Sequence, residues 1–407
     1  MRTLLKNIAH LYTPDPRGKF GDILDFEHVH LLIEDGRIGQ MVTAGQSMPA
    51  ADRVLDLSGK CLLPGFIDPH THPVFWKTRE DEFIMRIQGK SYEEIAAAGG
   101  GIRNSVRKFR QASKEEIKSV TRERIKKFLE FGVTTIEAKS GYGLSTADEI
   151  KSLEIIRELD AEQPLDLIPT FLGAHEIPDE AQSDPQLYVD LVCEKMIPLV
   201  AERKLAKYCD VFCEKGVFTV EQSRKILLTA LDYGLKARIH ADELAAFGGA
   251  ELAAEIGAVT ADHLVMASDQ GIEAMAKKGV IPVLLPGTTF FLGKEQYARA
   301  RDMIAAGCLV AISTDFNPGS STTQNLQLIW TIAALKLKML PGELLWASTY
   351  VPALSLNLEK QLGTIEPGKQ ADLVALNIPN LNYLPYHYGI NHTYLTIKKG
   401  NIVYQAR

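Results

Sequence analysis

Four side chains in this sequence have the types and positions expected of a divalent-metal site. His70 and His72 are spaced i, i+2 at the end of an apolar run that begins at Leu62. Side chains two apart on a strand point to the same side, so both imidazoles can converge just beyond the strand end. His240 and Asp315 also follow apolar runs. Each residue alone is more commonly an ordinary hydrogen-bonded side chain, but three imidazoles and one carboxylate together suit zinc or iron.

A divalent-metal site of this kind predicts that the protein catalyses a hydrolysis. A divalent cation lowers the pKa of bound water from about 15.7 to about 7, which makes hydroxide available at neutral pH. Asp315 lies beside the predicted metal and can accept the water proton. His263 can polarise a carbonyl, with a core histidine as the ordinary alternative. Glu243 can relay a proton or hold a substrate N–H; we place it at a helix start, where a plain first-turn acid is the alternative.

Further polar side chains follow the predicted strand ends and form a candidate substrate-binding set. Arg79 lies in the loop after His72 and can clamp a carboxylate through two hydrogen bonds, although a surface arginine is the ordinary alternative. Tyr142 lies on a glycine-flanked turn that is expected to expose its hydroxyl. Tyr92 belongs to a long insertion after the first strand, which suits a lid or a wall.

The elements that must position these residues alternate along the middle of the chain. Near-continuous apolar runs, typical of a parallel sheet buried on both faces, occur eight times with helical patterns between them. They cover residues 62–68, 132–138, 165–171, 208–213, 235–240, 258–263, 280–285 and 308–314. Ser113, Thr146 and Thr219 each begin a capping box. Eight strand–helix units predict a (β/α)₈ TIM-like barrel in the α/β class, with its active site at the carboxyl ends of the strands.

The two ends of the chain differ from this middle. Residues 1–60 and 360–407 are both rich in short alternating runs broken by turn signals. Neither end has enough strands to bury a sheet face alone. We therefore predict a small β-sandwich-like domain built from 1–60 plus 360–407, beside a metallohydrolase barrel of residues 61–359. The length of 407 residues agrees with two domains, since it exceeds the size at which one core stops growing.

Composition and charge narrow the class of protein. The net charge of −6 gives no reason to expect nucleic acid or an anionic membrane as a partner. No apolar run reaches transmembrane length, and the first residues lack the apolar region of a signal peptide. The five cysteines are odd in number and lie in apolar surroundings, which indicates free thiols in a reducing cytoplasm. Cys209 and Cys213 have a spacing open to metal binding, but their strand-like context favours core packing.

Several motifs together resemble the amidohydrolase superfamily, and the resemblance runs along nearly the whole chain. They are Pro64-Gly65-Phe66-Ile67-Asp68-Pro69-His70-Thr71-His72, the late His240, His263 and Asp315, and the stretch 363–373. Within that superfamily, four motifs are similar to those of the imidazolonepropionase family. These motifs are Glu137 to Leu144, Gly173 to Glu176, His240 to Glu243, and Ser313 to Ser320.

The resemblance implies the ring-opening hydrolysis of 4-imidazolone-5-propanoate, a small-molecule substrate, to N-formimidoyl-L-glutamate in histidine degradation. It implies a zinc or iron site and a homodimer. The implied metal ligands are His70, His72, His240 and Asp315. The implied substrate contacts are Arg79, Tyr92, Tyr142, His175, Glu243, Asn317, Gly319 and Ser320.

Two alternatives stay open at this point, as does the choice between zinc and iron, with zinc slightly favoured. One alternative is another amidohydrolase, such as a heterocycle deaminase, for which Arg79 and Tyr142 would have no carboxylate tail to bind. The other is a non-catalytic barrel scaffold, which intact ligands at all four positions disfavour. Related barrels bridge two metals with a carboxylated lysine after strand four. Lys139 follows strand two instead, so we predict a mononuclear site.

Overall fold

The strands and helices alternate in the middle of the chain and strands dominate its ends. The computed structural model describes residues 1–43, 46–90, 94 and 99–406, so the predicted contact Tyr92 lies outside the described residues. The strands are β1 Arg2–Pro14, β2 Ile23–Glu34, β3 Arg37–Val42, β4 Arg53–Asp56, β5 Cys61–Pro64, β6 Phe66–Thr71, β7 Val133–Lys139, β8 Asp166–Ala174, β9 Tyr208–Cys213, β10 Lys236–Ala241, β11 Thr260–His263, β12 Ile281–Leu284, β13 Ala311–Ile312, β14 Leu373–Leu376, β15 Thr393–Lys398 and β16 Asn401–Gln405. The helical segments are Glu80–Ile87, Ile102–Gln111, Lys114–Glu130, Thr146–Glu162, Asp179–Ala181, Pro185–Leu191, Val192–Met196, Ile197–Glu202, Val220–Asp232, Gly249–Ile256, Asp269–Lys278, Pro286–Phe291, Ala300–Ala305, Leu326–Ile332, Ala333–Leu337, Pro341–Ser348, Tyr350–Ser355 and Tyr383–Tyr386.

One eight-stranded sheet contains strands from both ends of the chain. Its order is β16-β15-β14-β5-β1-β2-β3, with β4 paired to β1. Most neighbours are antiparallel, whereas β1 runs parallel to β4 and β5. Leu5, Leu31, Leu62, Leu373 and Leu395 belong to the apolar cluster buried against this sheet. The two termini therefore share one sheet, as expected, and the division into domains at residues 60 and 360 stays a prediction.

The other eight strands form the predicted parallel barrel. Its strands follow chain order from β6 to β13, and each is hydrogen-bonded to the next. At the seam between the first and last strands, the His72 N–H donates to the Phe316 carbonyl at 2.8 Å, and the Ser313 hydroxyl donates to the His70 carbonyl at 2.8 Å. The fold class is thus a (β/α)₈ TIM-like barrel carrying an additional sheet made from both termini.

A single apolar run serves both sheets. The strand predicted over 62–68 divides at Gly65, because β5 pairs with β14 of the terminal sheet while β6 begins the barrel. A Cβ atom at Gly65 would lie 2.6 Å from two side-chain atoms of Thr134, so the crossing point requires glycine. The Gly65 N–H donates to the Asp372 carbonyl at 2.8 Å, and the next N–H donates into the barrel. Backbone hydrogen bonding therefore passes from one sheet to the other without a gap.

Helix starts follow the predicted capping signals with one exception. Ser113 and Thr219 form capping boxes as predicted. The helix predicted to be capped at Thr146 is instead capped by Ser145. Glu149, predicted to close that box, accepts three backbone N–H groups of the preceding loop, because a carboxylate buried to this extent needs donors. None of the helices in the described ranges combines the length and apolar character needed to cross a bilayer.

The interior of the barrel contains charged side chains along several of its strands. Alternate residues of a barrel strand point inward. Asp68, Glu137, Lys139, Asp210 and Arg238 are accordingly all fully buried. Apolar side chains instead fill the space between the strands and the surrounding helices. Because unpaired buried charges are very unfavourable, the charged interior must be internally paired.

Candidate active site

Three histidines and one aspartate converge at the carboxyl end of the barrel. One ring nitrogen of each of His70, His72 and His240 lies within 4.8 Å of the others, and all three residues are buried. His70 Nε2 and His72 Nε2 are 3.2 Å apart, and Asp315 Oδ1 lies 3.5 Å from each of them. Ligand atoms about 2.1 Å from a tetrahedral zinc ion are about 3.4 Å apart. The donor types and their spacing therefore fit one divalent ion.

Carboxylates lie behind two of the three imidazole rings. His70 Nδ1 is 2.6 Å from Asp262 Oδ2, a short hydrogen bond between fully buried groups. His240 Nδ1 lies 3.0 Å from Asp210 Oδ2, close but without the alignment of a hydrogen bond. Both arrangements leave Nε2, on the other side of the ring, available as a ligand.

Burial and a neighbouring carboxylate set the protonation of the three rings. It holds the pKa of His70 and of His72 well below the ordinary value, so both rings are neutral at pH 7. Burial also acts to lower the pKa of His240, but the Asp210 carboxylate outweighs it and leaves that pKa raised. Since a ligand imidazole must be deprotonated, metal binding at His240 is coupled to the loss of a proton.

Asp315 is held in an unusual backbone conformation beside the histidines. Its φ of 52° lies in the left-handed region, which is rare outside glycine and clusters at functional sites. The Thr288 hydroxyl donates to Asp315 Oδ2 at 2.5 Å, and the Asn317 amide donates to the Asp315 carbonyl at 2.7 Å. Burial raises the pKa of Asp315 to about 7. The carboxyl group is therefore poised to gain or lose a proton near neutral pH.

A cavity of about 550 Å³ opens over this cluster, a volume that suits a small organic molecule. His70 does not line it and lies beneath its floor. The residues singled out from the sequence that do line it are His72, Arg79, Tyr142, His175, His240, Glu243, His263, Asp315, Asn317, Gly319 and Ser320. The structure thus brings these sequence-predicted site residues together around one cavity. Their individual roles stay predictions.

Arg79 lines the cavity with part of its guanidinium already paired. Its Nε and Nη2 atoms donate to Glu82 Oε2 at 2.9 and 2.7 Å, and only 12% of its side chain is exposed. The other Glu82 oxygen accepts the Gly101 N–H at 3.1 Å. The Nη1 atom lies against Gly319, where a Cβ atom would come within 2.3 Å of it. Glu82 thus fixes the edge of the guanidinium formed by Nε and Nη2. The Nη1 atom takes no part in the pairing with Glu82.

Tyr142 and His175 form an aromatic wall next to His72. The His175 ring stacks on His72 with centroids 5.2 Å apart, and its Nδ1 is 2.9 Å from the Gly141 carbonyl oxygen. Burial lowers the pKa of His175 to about 3, so this ring is neutral. Tyr142 is 2% exposed and lines the cavity, so its turn places it at the cavity wall and not on the outer surface. Its ring packs edge-on against Phe75, His72 and His175.

The structure also corrects the environment predicted for Glu243. The helix after β10 begins at Gly249, so Glu243 is not at a helix start. The acid that contacts the start of this helix is Asp242, whose carboxylate accepts the N–H groups of residues 247–250. Glu243 instead lines the cavity with its Oε2 atom 3.6 Å from His263 Nδ1. Burial, rather than a helix dipole, dominates its electrostatics and raises its pKa.

Several residues of the site were not identified from the sequence. Glu82 follows Arg79 by three positions at the start of a helix, a spacing that can signal an ion pair. Asp262 directly precedes His263 at a strand end and was assigned no role. Arg86 lines the cavity and donates to the Gly319 carbonyl at 3.1 Å, a contact that only the folded chain reveals.

Comparison with known proteins places this architecture in a family. The sequence model of the amidohydrolase family matches residues 61–403. The chain is 47% identical to the imidazolonepropionase of Alkaliphilus metalliredigens, over 98% of this chain and 97% of that protein. It is 52% identical to the imidazolonepropionase of Shouchella clausii, over 87% of this chain and 79% of that protein.

Solved structures of lower sequence identity share the fold. An adenosine deaminase from Xanthomonas campestris with bound zinc superposes with a TM-score of 0.70 at 17% identity, covering 98% of this chain and 92% of that one. An atrazine chlorohydrolase from Arthrobacter aurescens complexed with zinc gives a TM-score of 0.71 at 18% identity, covering 98% and 94%. With its barrel, its convergent histidines and its full-length relatives, this chain belongs to the amidohydrolase family and, within it, to the imidazolonepropionases.

Proposed function

We propose that this enzyme opens the ring of 4-imidazolone-5-propanoate by hydrolysis, giving N-formimidoyl-L-glutamate in histidine degradation. The observation that carries the proposal is the joint presence of full-length identity to imidazolonepropionases and a cavity that combines the histidine cluster with Arg79. In the reaction, water adds to the cyclic amide carbonyl, the carbon–nitrogen bond breaks and the leaving nitrogen takes a proton. The chain must therefore hold the carbonyl, accept one proton and donate another.

His70, His72, His240 and Asp315 are proposed to hold one divalent ion. Bound there, the ion supplies Lewis-acid polarisation and an acidified water. The ligand rings enter the site neutral or lose a proton on binding, as their pKa shifts require. We further propose zinc rather than iron, although three nitrogens and one carboxylate suit both.

Asp315 and Glu243 are proposed to handle the protons. Burial raises the pKa of both carboxyl groups, to about 7 for Asp315, which favours proton uptake at each of them. Asp315 accepts the proton of the attacking water, and Glu243 holds a substrate N–H or relays a proton towards the leaving nitrogen. His263, whose pKa is well lowered by burial, is neutral and polarises the carbonyl.

The propanoate tail is proposed to bind on the Arg79 side of the cavity. Arg79, Asn317 and Ser320 line that part of the wall, together with Gly319 against which the guanidinium packs. The Asn317 side chain is fixed by accepting the N–H groups of Gly319 and Ser320 at 2.8 and 2.7 Å. A tail held there positions the ring carbonyl over the histidine cluster, which converts remote binding energy into rate.

Assembly and location complete the proposal. We propose a homodimer, and exposed Tyr386, Tyr388 and Ile390 offer apolar side chains that a second chain can cover. The five buried free thiols suit a reducing cytoplasm, which is the proposed location. Light scattering of the purified protein tests the dimer, because a monomer at all concentrations would contradict it.

The direct test of the function is to identify the product. Purified enzyme loaded with zinc is incubated with 4-imidazolone-5-propanoate, and the mixture is followed by nuclear magnetic resonance and mass spectrometry. We expect addition of one water, appearance of N-formimidoyl-L-glutamate and no release of ammonia. Ammonia release from a heterocyclic amine, with no turnover of the imidazolone, would identify a deaminase instead.

A further inference from the structure

A lysine lies at the centre of the charged interior of the barrel, outside the cavity. Lys139, the last residue of β7, is fully buried and does not line the cavity wall. Its ammonium group lies 2.7 Å from Asp210 Oδ2, 2.8 Å from Glu137 Oε1 and 3.7 Å from Asp262 Oδ2. One cation therefore joins three carboxylates that come from three different strands.

Two of those carboxylates are the ones that contact the proposed metal ligands. Asp262 Oδ2 is both 2.6 Å from His70 Nδ1 and 3.7 Å from the lysine ammonium group. Asp210 Oδ2 is both 3.0 Å from His240 Nδ1 and 2.7 Å from that ammonium group. The same oxygen atom faces the ring and the lysine in each case, so the lysine is one contact away from both imidazoles.

We propose that Lys139 is a positioning residue for the metal site, acting through Asp210 and Asp262 to fix the ring orientations of His70 and His240. A carboxylate behind a ligand imidazole selects the tautomer with Nδ1 protonated and keeps Nε2 free for the ion. Each carboxylate has to stay ionised and in place to do so, and in a fully buried layer that requires a neighbouring cation. Lys139 provides that cation to both carboxylates at once.

The positive charge of Lys139 also has an effect that would weaken metal binding. An ammonium group close behind the ligands repels a divalent ion through space, so removing it would strengthen metal binding if repulsion were its main effect. Loss of ring orientation would weaken metal binding. A purely structural ion pair would change the stability of the fold and leave metal affinity alone. The sign of the change in metal affinity therefore separates the three roles.

The experiment measures zinc affinity of the full-length chain by competition with a chromogenic chelator. Lys139→Met keeps an unbranched side chain, one heavy atom shorter, and removes its charge. The single variant leaves buried carboxylates unpaired. We therefore also use the charge-balanced variant Lys139→Met/Glu137→Gln. Its second substitution removes the carboxylate of Glu137, which, unlike those of Asp210 and Asp262, is not in contact with a ligand ring. Asp262→Asn keeps the volume of the side chain and tests the same contacts from the other end, should neither lysine variant fold.

We expect the charge-balanced variant to bind zinc about tenfold to a hundredfold more weakly, as for loss of other groups that orient metal ligands. Its cobalt-loaded form should show shifted visible absorption bands, because the ligand field depends on ring orientation. Asp262→Asn should weaken zinc binding as well. Unchanged or tighter zinc binding in these variants would overturn the proposal in favour of a structural or a repulsive role.

A buried lysine elsewhere in the chain provides the matched control. Lys398 is 2% exposed and lies 2.6 Å from a carboxylate oxygen of Asp372 and of Asp166, in the terminal sheet. Lys398→Met should lower thermal stability and leave zinc affinity unchanged. This inference rests on the proposed metal site and not on the proposed substrate. Failure of the unaltered chain to bind zinc would overturn both, whereas failure to hydrolyse the imidazolone would overturn only the proposed function.

Discussion

Replacing Arg79 tests which substrate the cavity accepts. Arg79→Met removes the guanidinium and keeps an unbranched side chain at the cavity wall, so the fold and the histidine cluster should be unaffected. Arg79 pairs with Glu82 and packs against Gly319, neither of which is a proposed metal ligand. If the guanidinium holds the propanoate tail, catalysis should fall for substrates that carry the tail and for no others.

The size of the effect follows from the contacts already made. Glu82 engages Nε and Nη2, which leaves Nη1 as the donor not committed to that pair. One charge-assisted hydrogen bond contributes roughly 1.5–3 kcal/mol, so kcat/KM should fall by about tenfold to a hundred-and-fifty-fold. A two-hydrogen-bond clamp, which would require Arg79 to leave Glu82, should give a larger loss.

The assay compares kcat/KM for 4-imidazolone-5-propanoate and for an imidazolone without the tail. We expect the unaltered enzyme to hydrolyse the tail-less compound poorly and the variant to do so about equally poorly. Arg107→Met is the matched control, because that arginine pairs with Asp179 at 2.7 Å and is 46% exposed. It should leave both values unchanged. If Arg79→Met slowed both substrates alike, the tail would be held elsewhere and the assignment of Arg79 would be wrong.

Three further predictions concern the metal, the cavity wall and the terminal sheet. His240→Ala should lose bound metal and activity together while circular dichroism shows a folded barrel. Gly319→Ala should raise KM about tenfold with a smaller change in kcat, because the new methyl group would meet Arg79 Nη1 at 2.3 Å. Lys398→Met should lower the free energy of unfolding in urea by about 3–5 kcal/mol, since its carboxylate partners lose a buried cation. Lys399→Met, whose side chain is 56% exposed, should cost less than about 1 kcal/mol in the same measurement.

The barrel was predictable because its signals are local. Eight apolar runs separated by helical patterns identify buried parallel strands wherever they occur, and His70 with His72 falls on one side of a strand by spacing alone. The division of the first run at Gly65 was not predictable in the same way. Both halves of that run are equally apolar, and only pairing with β14 on one side and β7 on the other separates them.

The surroundings of the site depend on contacts that no local pattern encodes. Asp262 is 192 positions from His70 and is its hydrogen-bond partner. Thr288 is 27 positions from Asp315 and donates to it. Glu243 was placed at a helix start because it follows His240 at the end of a predicted strand. The helix begins later, at Gly249, after a backbone turn in which Asp242 has a φ of 50°.

Hydrolysis of 4-imidazolone-5-propanoate is proposed to require one divalent ion in this cavity. The most direct measurement is to strip the purified protein of metal with a chelator and to titrate zinc back while following turnover. We expect no activity in the stripped protein, and a linear rise that reaches its maximum at one equivalent per chain. Full activity without metal, or a maximum only at two equivalents, would contradict a single catalytic metal ion in this cavity.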